Sequence, residues 1–413
     1  MAFAAAIGLS GCTGGGDDGG GEITLTVATF GDFGYKELYR QYEDAHPGIK
    51  IQERVSDFES HHRGLAPALA AGRGAADIVA LEEQYMPQFR ASKDKFANLA
   101  DYGATELKSQ WVPWKWEQGV TDNGSFVMGL GTDIGSLAMC YRRDLFEKAG
   151  LPTDRTQVSA LWPTWEDYAS TADRFSAATP DVKFADSAGN IYAAILNQAD
   201  ESFFSRSDDA FIADSNANLK RAFDIGGAIG AKGQTAKVSA FTQPWSVAIK
   251  QGSFATMTCP AWMLNLIKEA SGEENTGKWD VATVPGNSGN WGGSFLTLPK
   301  QGRHLREAYD LAQWLTAPEQ QKKVFLAAGS LPSSPKAYTD SEVLGKKDAY
   351  FSDAPVGEIF AGSADSLRPN YRGVQDAKAR PKFGEALGRV EEGKQSVADA
   401  WTIAVAEARD ATK

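Results

Sequence analysis

The sequence predicts an α/β protein made of two lobes, with the chain crossing between them three times. Three observations carry that expectation. At 413 residues the chain exceeds one ordinary domain, which holds roughly 100 to 200 residues. Strand and helix patterns alternate in two successive blocks, which implies βαβ units and largely parallel sheets with helices on both faces. Three polar breaks rich in Gly, Ser or Pro interrupt the alternation, at 129–135 (GLGTDIG), 285–293 (PGNSGNWGG) and 330–335 (SLPSSP). A ligand cleft then lies between the lobes.

In the first block, Ile23, Leu25 and Val27 alternate with Thr24 and Thr26, which is a strand pattern. A helix is expected over about 35–45, stopped by His46-Pro47-Gly48, then a strand at 49–55, a helix at about 63–71 and a strand at 77–81, each bounded by turn residues. Short apolar strands at 126–128 and 137–141 flank the first break. The second block holds helices at 143–149 and 164–177, the latter with Thr164 placed to cap its start, since a threonine hydroxyl can satisfy a free N–H there. It continues with α/β material over 216–231, a strand at 255–258, a helix at about 261–270 and a strand at 279–284. After the second break come a strand at 295–298 and paired helices at 305–315 and 318–328, and after the third, helices at about 378–392 and 397–411. The expected partition is 22–132 plus 289–331 for the N-terminal lobe and 133–288 plus 332–413 for the C-terminal lobe.

Residues 1–12 read as a signal remnant rather than fold. The apolar run Met1 to Leu9 is too short to cross a hydrocarbon core of roughly 30 Å. It leads into Leu9-Ser10-Gly11-Cys12, which resembles a bacterial lipobox, in which the cysteine is lipidated and becomes the mature N-terminus. Thr13 to Gly21 (TGGGDDGGG) contains no apolar residue and has the composition of a flexible tether. With Cys12 as the lipid attachment site, Cys140 and Cys259 remain, either as a disulfide outside the cytoplasm or as two buried thiols.

Forty-two Lys and Arg stand against fifty-three Asp and Glu, a net charge of −11. That balance argues against a nucleic-acid backbone or an anionic membrane surface as partner, because both attract positive charge. Catalytic patterns are scarce. The four histidines, at 46, 61, 62 and 304, form no HExxH, and the side chains of His61 and His62, adjacent at a helix start, are expected to point apart. No GxSxG elbow occurs, and Gly129-x-Gly131-x-x-x-Gly135 has the wrong spacing for a dinucleotide fingerprint. No cofactor and no metal are expected.

Ala75-Ala76-Asp77-Ile78-Val79, the run Gly131 to Leu145 (GTDIGSLAMCYRRDL) with Phe146 to Pro152 after it, Met257 to Met263 (MTCPAWM), Trp291 to Phe295 (WGGSF) and Trp314 to Gln320 (WLTAPEQ) together resemble the extracellular solute-binding lipoproteins of ABC sugar importers. The stretches Thr29 to Tyr35, Cys259-Pro260-Ala261-Trp262 and Asn290-Trp291-Gly292-Gly293 are most similar to the actinobacterial cellobiose and cello-oligosaccharide binders. The resemblance implies a periplasmic-binding-protein type II fold, a sugar clamped between the lobes and delivered to membrane permease subunits, no catalysis, and a monomer anchored by lipid outside the cell. A secreted glycoside hydrolase or lyase, a surface adhesin, and a binder of xylo- or manno-oligosaccharides are the alternatives.

A neutral oligosaccharide offers apolar C–H faces that suit aromatic rings and hydroxyl edges that need polar partners. Trp262, at a strand-to-helix turn, and Trp291, in the second break, are the expected stacking rings. Phe30 and Phe33 flank Asp32 directly after the first strand; Glu82 and Glu83 follow another strand end, one of them expected to face the sugar; Asp133 lies in the first break. Family analogy adds Tyr371. Trp111, Trp114, Trp116, Trp162 and Trp165 fit packing better than a site, with Trp245 and Trp401 undecided.

Overall fold

Two sheets divide the chain. The structure, a computed structural model, describes residues 22–364 and 367–413; Cys12 and the 13–21 tract lie outside them. In the first sheet Ile49–Ser56, Ile23–Phe30 and Ile78–Glu82 run parallel, and Ser294–Thr297 and then Gly129–Gly131 complete it antiparallel. The second sheet has the order Trp279–Ala282, Leu137–Arg142, Phe254–Pro260, Lys183–Ala185. Separate apolar clusters sit under them: Leu25, Val27, Leu38, Tyr42, Leu130 and Leu296 belong to the first, and Met139, Tyr168, Phe184, Phe223 and Phe383 to the second. This is the two-lobed α/β architecture.

Local chemistry explains most element boundaries. Every residue of Ile78–Glu82 is buried, as a central strand covered on both faces requires. Thr164 and Asp167 form a reciprocal capping box at the start of Trp165–Ala178, satisfying two otherwise free backbone donors. The helix expected from residue 63 begins earlier and spans Phe58–Ala70, because the Asp57 carboxylate accepts the Ser60 N–H at 2.8 Å. Lys183–Ala185, Ala188–Leu196 and Gln243–Gln251 escaped the sequence patterns. Seven of the nine residues of Ala188–Leu196 are buried, so it lacks the polar stripe by which a surface helix is recognised. Gly129–Gly131, read as a polar break, is an edge strand.

Trp111, Trp114, Trp116, Trp162, Trp165 and Trp245 are buried. Trp401 packs on Phe223 and Phe383.

The crossings lie side by side. Asp133–Ile134 pairs with Leu331–Pro332, and Ser136 bridges to Asn290. Gly135 is needed there because a Cβ would lie 1.8 Å from the Trp291 carbonyl oxygen. Among the described residues no helix is long and apolar enough to cross a membrane.

Cys140 pairs with Met257 and Cys259 with Ala138 in the antiparallel ladder. The two cysteines are therefore diagonal neighbours on one face, and they form a disulfide across a separation of 119 residues. A crosslink closing so long a loop restricts the unfolded chain strongly, and its removal typically costs about 2–4 kcal/mol. The Cys140→Ala, Cys259→Ala double variant is expected to lose stability of that order in urea unfolding at equilibrium; an unchanged midpoint would show that the bond contributes nothing.

Candidate functional site

The floor of the cleft is built where the crossings meet. The Asn290 side chain accepts the Gly135 N–H at 2.8 Å and donates to Glu83 Oε2 at 2.8 Å and to the Gly292 carbonyl at 2.9 Å. Asp133 Oδ1 accepts the Ser294 N–H at 3.0 Å and the Thr132 hydroxyl at 2.6 Å. In the geometry seen here, Asp133 ties the first crossing to the second.

Glu82 and Glu83 stand at the carboxyl end of a central strand, where open α/β sheets present ligands. Both are buried, at 8% and 5% exposure. Glu83 is held by donors on several elements: Asn290, Gln118 Nε2 at 3.3 Å and Arg372 Nη2 at 3.5 Å. Arg372 reaches it from a segment packed on the second lobe, where the Tyr371 N–H donates to the Asp200 carbonyl at 2.7 Å. Arg372 also pairs with Asp376, which pairs with Arg380 at 3.0 Å. A buried ion pair therefore joins the lobes. Glu82 has fewer donors. Its Oε2 accepts the Gln84 N–H at 2.7 Å, and burial first, then the neighbouring Glu83 charge, hold its carboxyl well above the usual carboxylate range.

Lys115 is buried in the same floor. Its ammonium lies 4.0 Å above the Phe295 ring and has no hydrogen-bond partner, a desolvated cation on an aromatic face. Burial pushes it toward the neutral amine, and the charges of Glu83, Asp133 and Glu82 pull it back.

Trp262 and Trp291 meet. Trp262 Nε1 donates to the Trp291 carbonyl at 3.2 Å, and the ring centroids are 6.2 Å apart, edge to face. Phe241 completes the group at 6.0 Å from both rings. It is 56% exposed with φ of +66°. An exposed bulky residue in a left-handed conformation is a marked outlier of the sort that gathers at ligand sites. Sequence reading missed it, since only backbone geometry sets it apart from an ordinary loop phenylalanine. A Cβ on Gly292, whose φ is +84°, would stand 3.5 Å from Glu82 Oε1 and 3.6 Å from Trp262 Nε1. The carboxyl of one lobe and the indole edge of the other thus converge over this glycine.

The remaining expected residues have other partners. Phe30 packs against Phe33, Phe58, His61 and His62 at centroid distances of 4.8–5.3 Å. Asp32 is exposed and caps its own turn by accepting the Gly34 N–H at 2.8 Å. Tyr371 sits in a separate group: its hydroxyl donates to Asp209 at 3.3 Å and its ring receives Arg206 at 5.4 Å.

His61 and His62 do not point apart. Both are buried, with ring centroids 4.9 Å apart, because the helix starts at Phe58 and lays both rings under Phe30. His62 Nδ1 contacts the Phe58 carbonyl at 2.8 Å, and its Nε2 accepts the Glu82 N–H at 3.1 Å. That pattern requires the neutral imidazole protonated on Nδ1, consistent with burial pushing its pKa down to about 3. Tyr85 stacks on it at 3.9 Å.

Two α/β lobes are joined by three crossings, and Glu82 of one meets Trp262 of the other over Gly292. The family model for bacterial extracellular solute-binding proteins matches residues 37–351, and the chain belongs to that family. A solved extracellular solute-binding protein of family 1 is 45% identical, with a TM-score of 0.86 over 95% of this chain and 100% of that one. The arabinooligosaccharide-binding protein of Bacillus subtilis (strain 168) is 22% identical over 380 residues, 87% of this chain and 85% of its own. The galacto-N-biose/lacto-N-biose I-binding protein of the ABC transporter from Bifidobacterium longum shares the fold, at 19% identity and a TM-score of 0.78 over 96% of this chain and 98% of that one. The protein is a non-catalytic capture component, and the hydrolase or lyase alternative falls.

Loss of Arg372 leaves Glu83 buried without its ion-pair partner, which typically costs about 3–5 kcal/mol. Arg372→Met is expected to lower unfolding stability by that order in urea titrations, and Arg372→Lys to restore part of it. An unperturbed Arg372→Met protein would mean that the inter-lobe pair carries no stability.

Proposed function

We propose that this protein is the sugar-binding component of an ABC importer, capturing a neutral oligosaccharide between its lobes and passing it to membrane permease subunits. The observation that carries this reading is the convergence of Trp262, Trp291 and Phe241 with Glu82 over Gly292. Flat rings take the apolar faces of a pyranose, and Glu82 and Glu83 take the hydroxyl edges. Asp133, Phe30, Asp32, Phe33 and Tyr371 line the approaches or brace them. Relatives named for arabino-oligosaccharide and lacto-N-biose binding, and an ABC-transporter-associated binding protein solved in complex with β-1,6-galactobiose, support a sugar as cargo. Cello-oligosaccharides are our first choice of ligand, on the resemblance of the 29–35, 259–262 and 290–293 segments, with xylo-, manno- and arabino-oligosaccharides as the competing β- and α-linked ligands.

The lobes are assigned as 22–132 plus 289–331 and 133–288 plus 332–413, closing on the sugar as ligand contacts to both favour the shut state. The protein works as a monomer, held to the outer face of the membrane by lipid on Cys12 and the 13–21 tether. Mass spectrometry of membrane-extracted protein tests the anchor: an unmodified Cys12 at the mature N-terminus would refute it.

A thermal-shift screen over β- and α-linked oligosaccharides is expected to give its largest rise with β-1,4-linked glucose oligomers, which are recovered chemically unchanged. A largest rise with arabino-oligosaccharides would move the specificity to them, and no rise with any sugar would overturn the reading. Truncating an anchoring tryptophan typically costs about 2 kcal/mol or more in binding, roughly thirtyfold in Kd. Trp262→Ala is expected to lose affinity on that scale in calorimetry, with the unliganded melting temperature little changed because the ring is only half-buried. A large fall in melting temperature would instead make the ring part of the core.

A further inference from the structure

The floor contains more carboxyl groups than cationic ones. Facing Glu82 are Glu83 and Tyr85 from its own strand end and loop, Lys115 from the helix Pro113–Gly119, Asp133 from the first crossing beside that lysine, and His62 from the helix Phe58–Ala70. Arg372 faces it from the second lobe, with Asp376 and Arg380 behind. His62 is neutral, since it accepts the Glu82 N–H. The four carboxyls Glu82, Glu83, Asp133 and Asp376 therefore share three cations, Lys115, Arg372 and Arg380, and the Lys115 ammonium is itself penalised by burial.

The donors are unequally divided. Asn290, Gln118 and Arg372 all donate to Glu83. Glu82 receives the single Gln84 N–H on Oε2, while its Oε1 is turned toward Gly292 and the Trp262 edge. A buried group with one donor and a charged neighbour is the one that keeps a proton.

We propose that Glu82 meets the ligand as a neutral acid, a hydrogen-bond donor that selects a sugar oxygen acting as acceptor beside Trp262 and makes capture weaken as the medium becomes alkaline. This rests on the sugar-cleft reading above, which supplies the ligand. Ionised, the same carboxylate accepts only, so the ligand oxygen and Oε1 become two facing acceptors. The sign follows from linkage. A carboxyl held above its unfolded value gives the folded protein an extra proton between the two values, so folded stability is fullest below the unfolded value and declines as pH rises through the raised one. Donation to the ligand adds the same dependence to binding.

Sugar affinity measured by calorimetry from about pH 5.5 to about pH 9, a range over which an ordinary carboxylate is already ionised, is expected to fall by tenfold or more. Glu82→Gln cannot titrate, and the slope with pH is expected to shrink to under about twofold, whatever affinity the variant retains. The carboxyl itself is read directly by carbon-13 NMR of Glu side chains in the unliganded full chain, with the Glu82 signal assigned by its loss in Glu82→Gln. A signal of the protonated acid that titrates well above the usual range supports the proposal, and removal of the nearby cation in Lys115→Met is expected to move its midpoint to higher pH. A Glu82 signal already ionised at about pH 5.5, or a wild-type affinity flat with pH, would overturn it. If no sugar binds while the NMR titration behaves as expected, the ligand reading fails and the protonated Glu82 stands.

Discussion

One side-chain amide organises this molecule. Asn290 reaches back to the Gly135 N–H of the first crossing, across to the Gly292 carbonyl of its own crossing, and into Glu83 of the first lobe. It is buried, so each of these bonds replaces one that water would otherwise supply, and leaving one unmade is costly. The register of two crossings and the direction of a cleft carboxylate are thereby fixed together. Asp133 repeats the device one step along, holding Ser294 and Thr132. These bonds tie the first two crossings to each other and to Glu83.

The same region gathers several buried ionisable groups. Buried charge is tolerated when it is paired and hydrogen-bonded, and Glu83, Arg372, Asp376 and Arg380 form such a chain from one lobe to the other. Glu82 and Lys115 are the members least satisfied by protein partners, and Glu82 is the one turned toward the meeting point over Gly292. His62 acts one layer further out, fixing the Glu82 backbone through a single tautomer while Tyr85 covers its face.

Much of the frame was legible in the sequence because it depends on local chemistry. The alternation of Ile23, Leu25 and Val27, the Thr164 cap and the paired helices Leu305–Leu315 and Pro318–Ala328 follow from periodicity and end signals, and the last two keep the expected bounds. Ala188–Leu196 did not show itself because a helix buried all round has no polar side to mark its period. Phe58–Ala70 starts earlier than apolar spacing suggests because its start is set by the Asp57 cap.

Of the candidate site, strand ends pointed to Trp262, Glu82 and Glu83, since α/β proteins present ligands there, and the polar glycine-rich second break pointed to Trp291. Composition bore on the ligand's charge and nothing finer. Only the tertiary structure decided that Glu83 is locked by Arg372 from the far lobe, that Lys115 lies unpartnered in the floor, that Asp32 caps its own turn, and that Phe241 joins the tryptophans with a left-handed backbone. Apart from the Asp32 turn, which is local, each of these depends on residues tens to hundreds of positions apart, or on a backbone angle that no side-chain pattern records. Sequence specifies which groups can bind a solute; the packing of three crossings specifies which of them still face it once the lobes are joined.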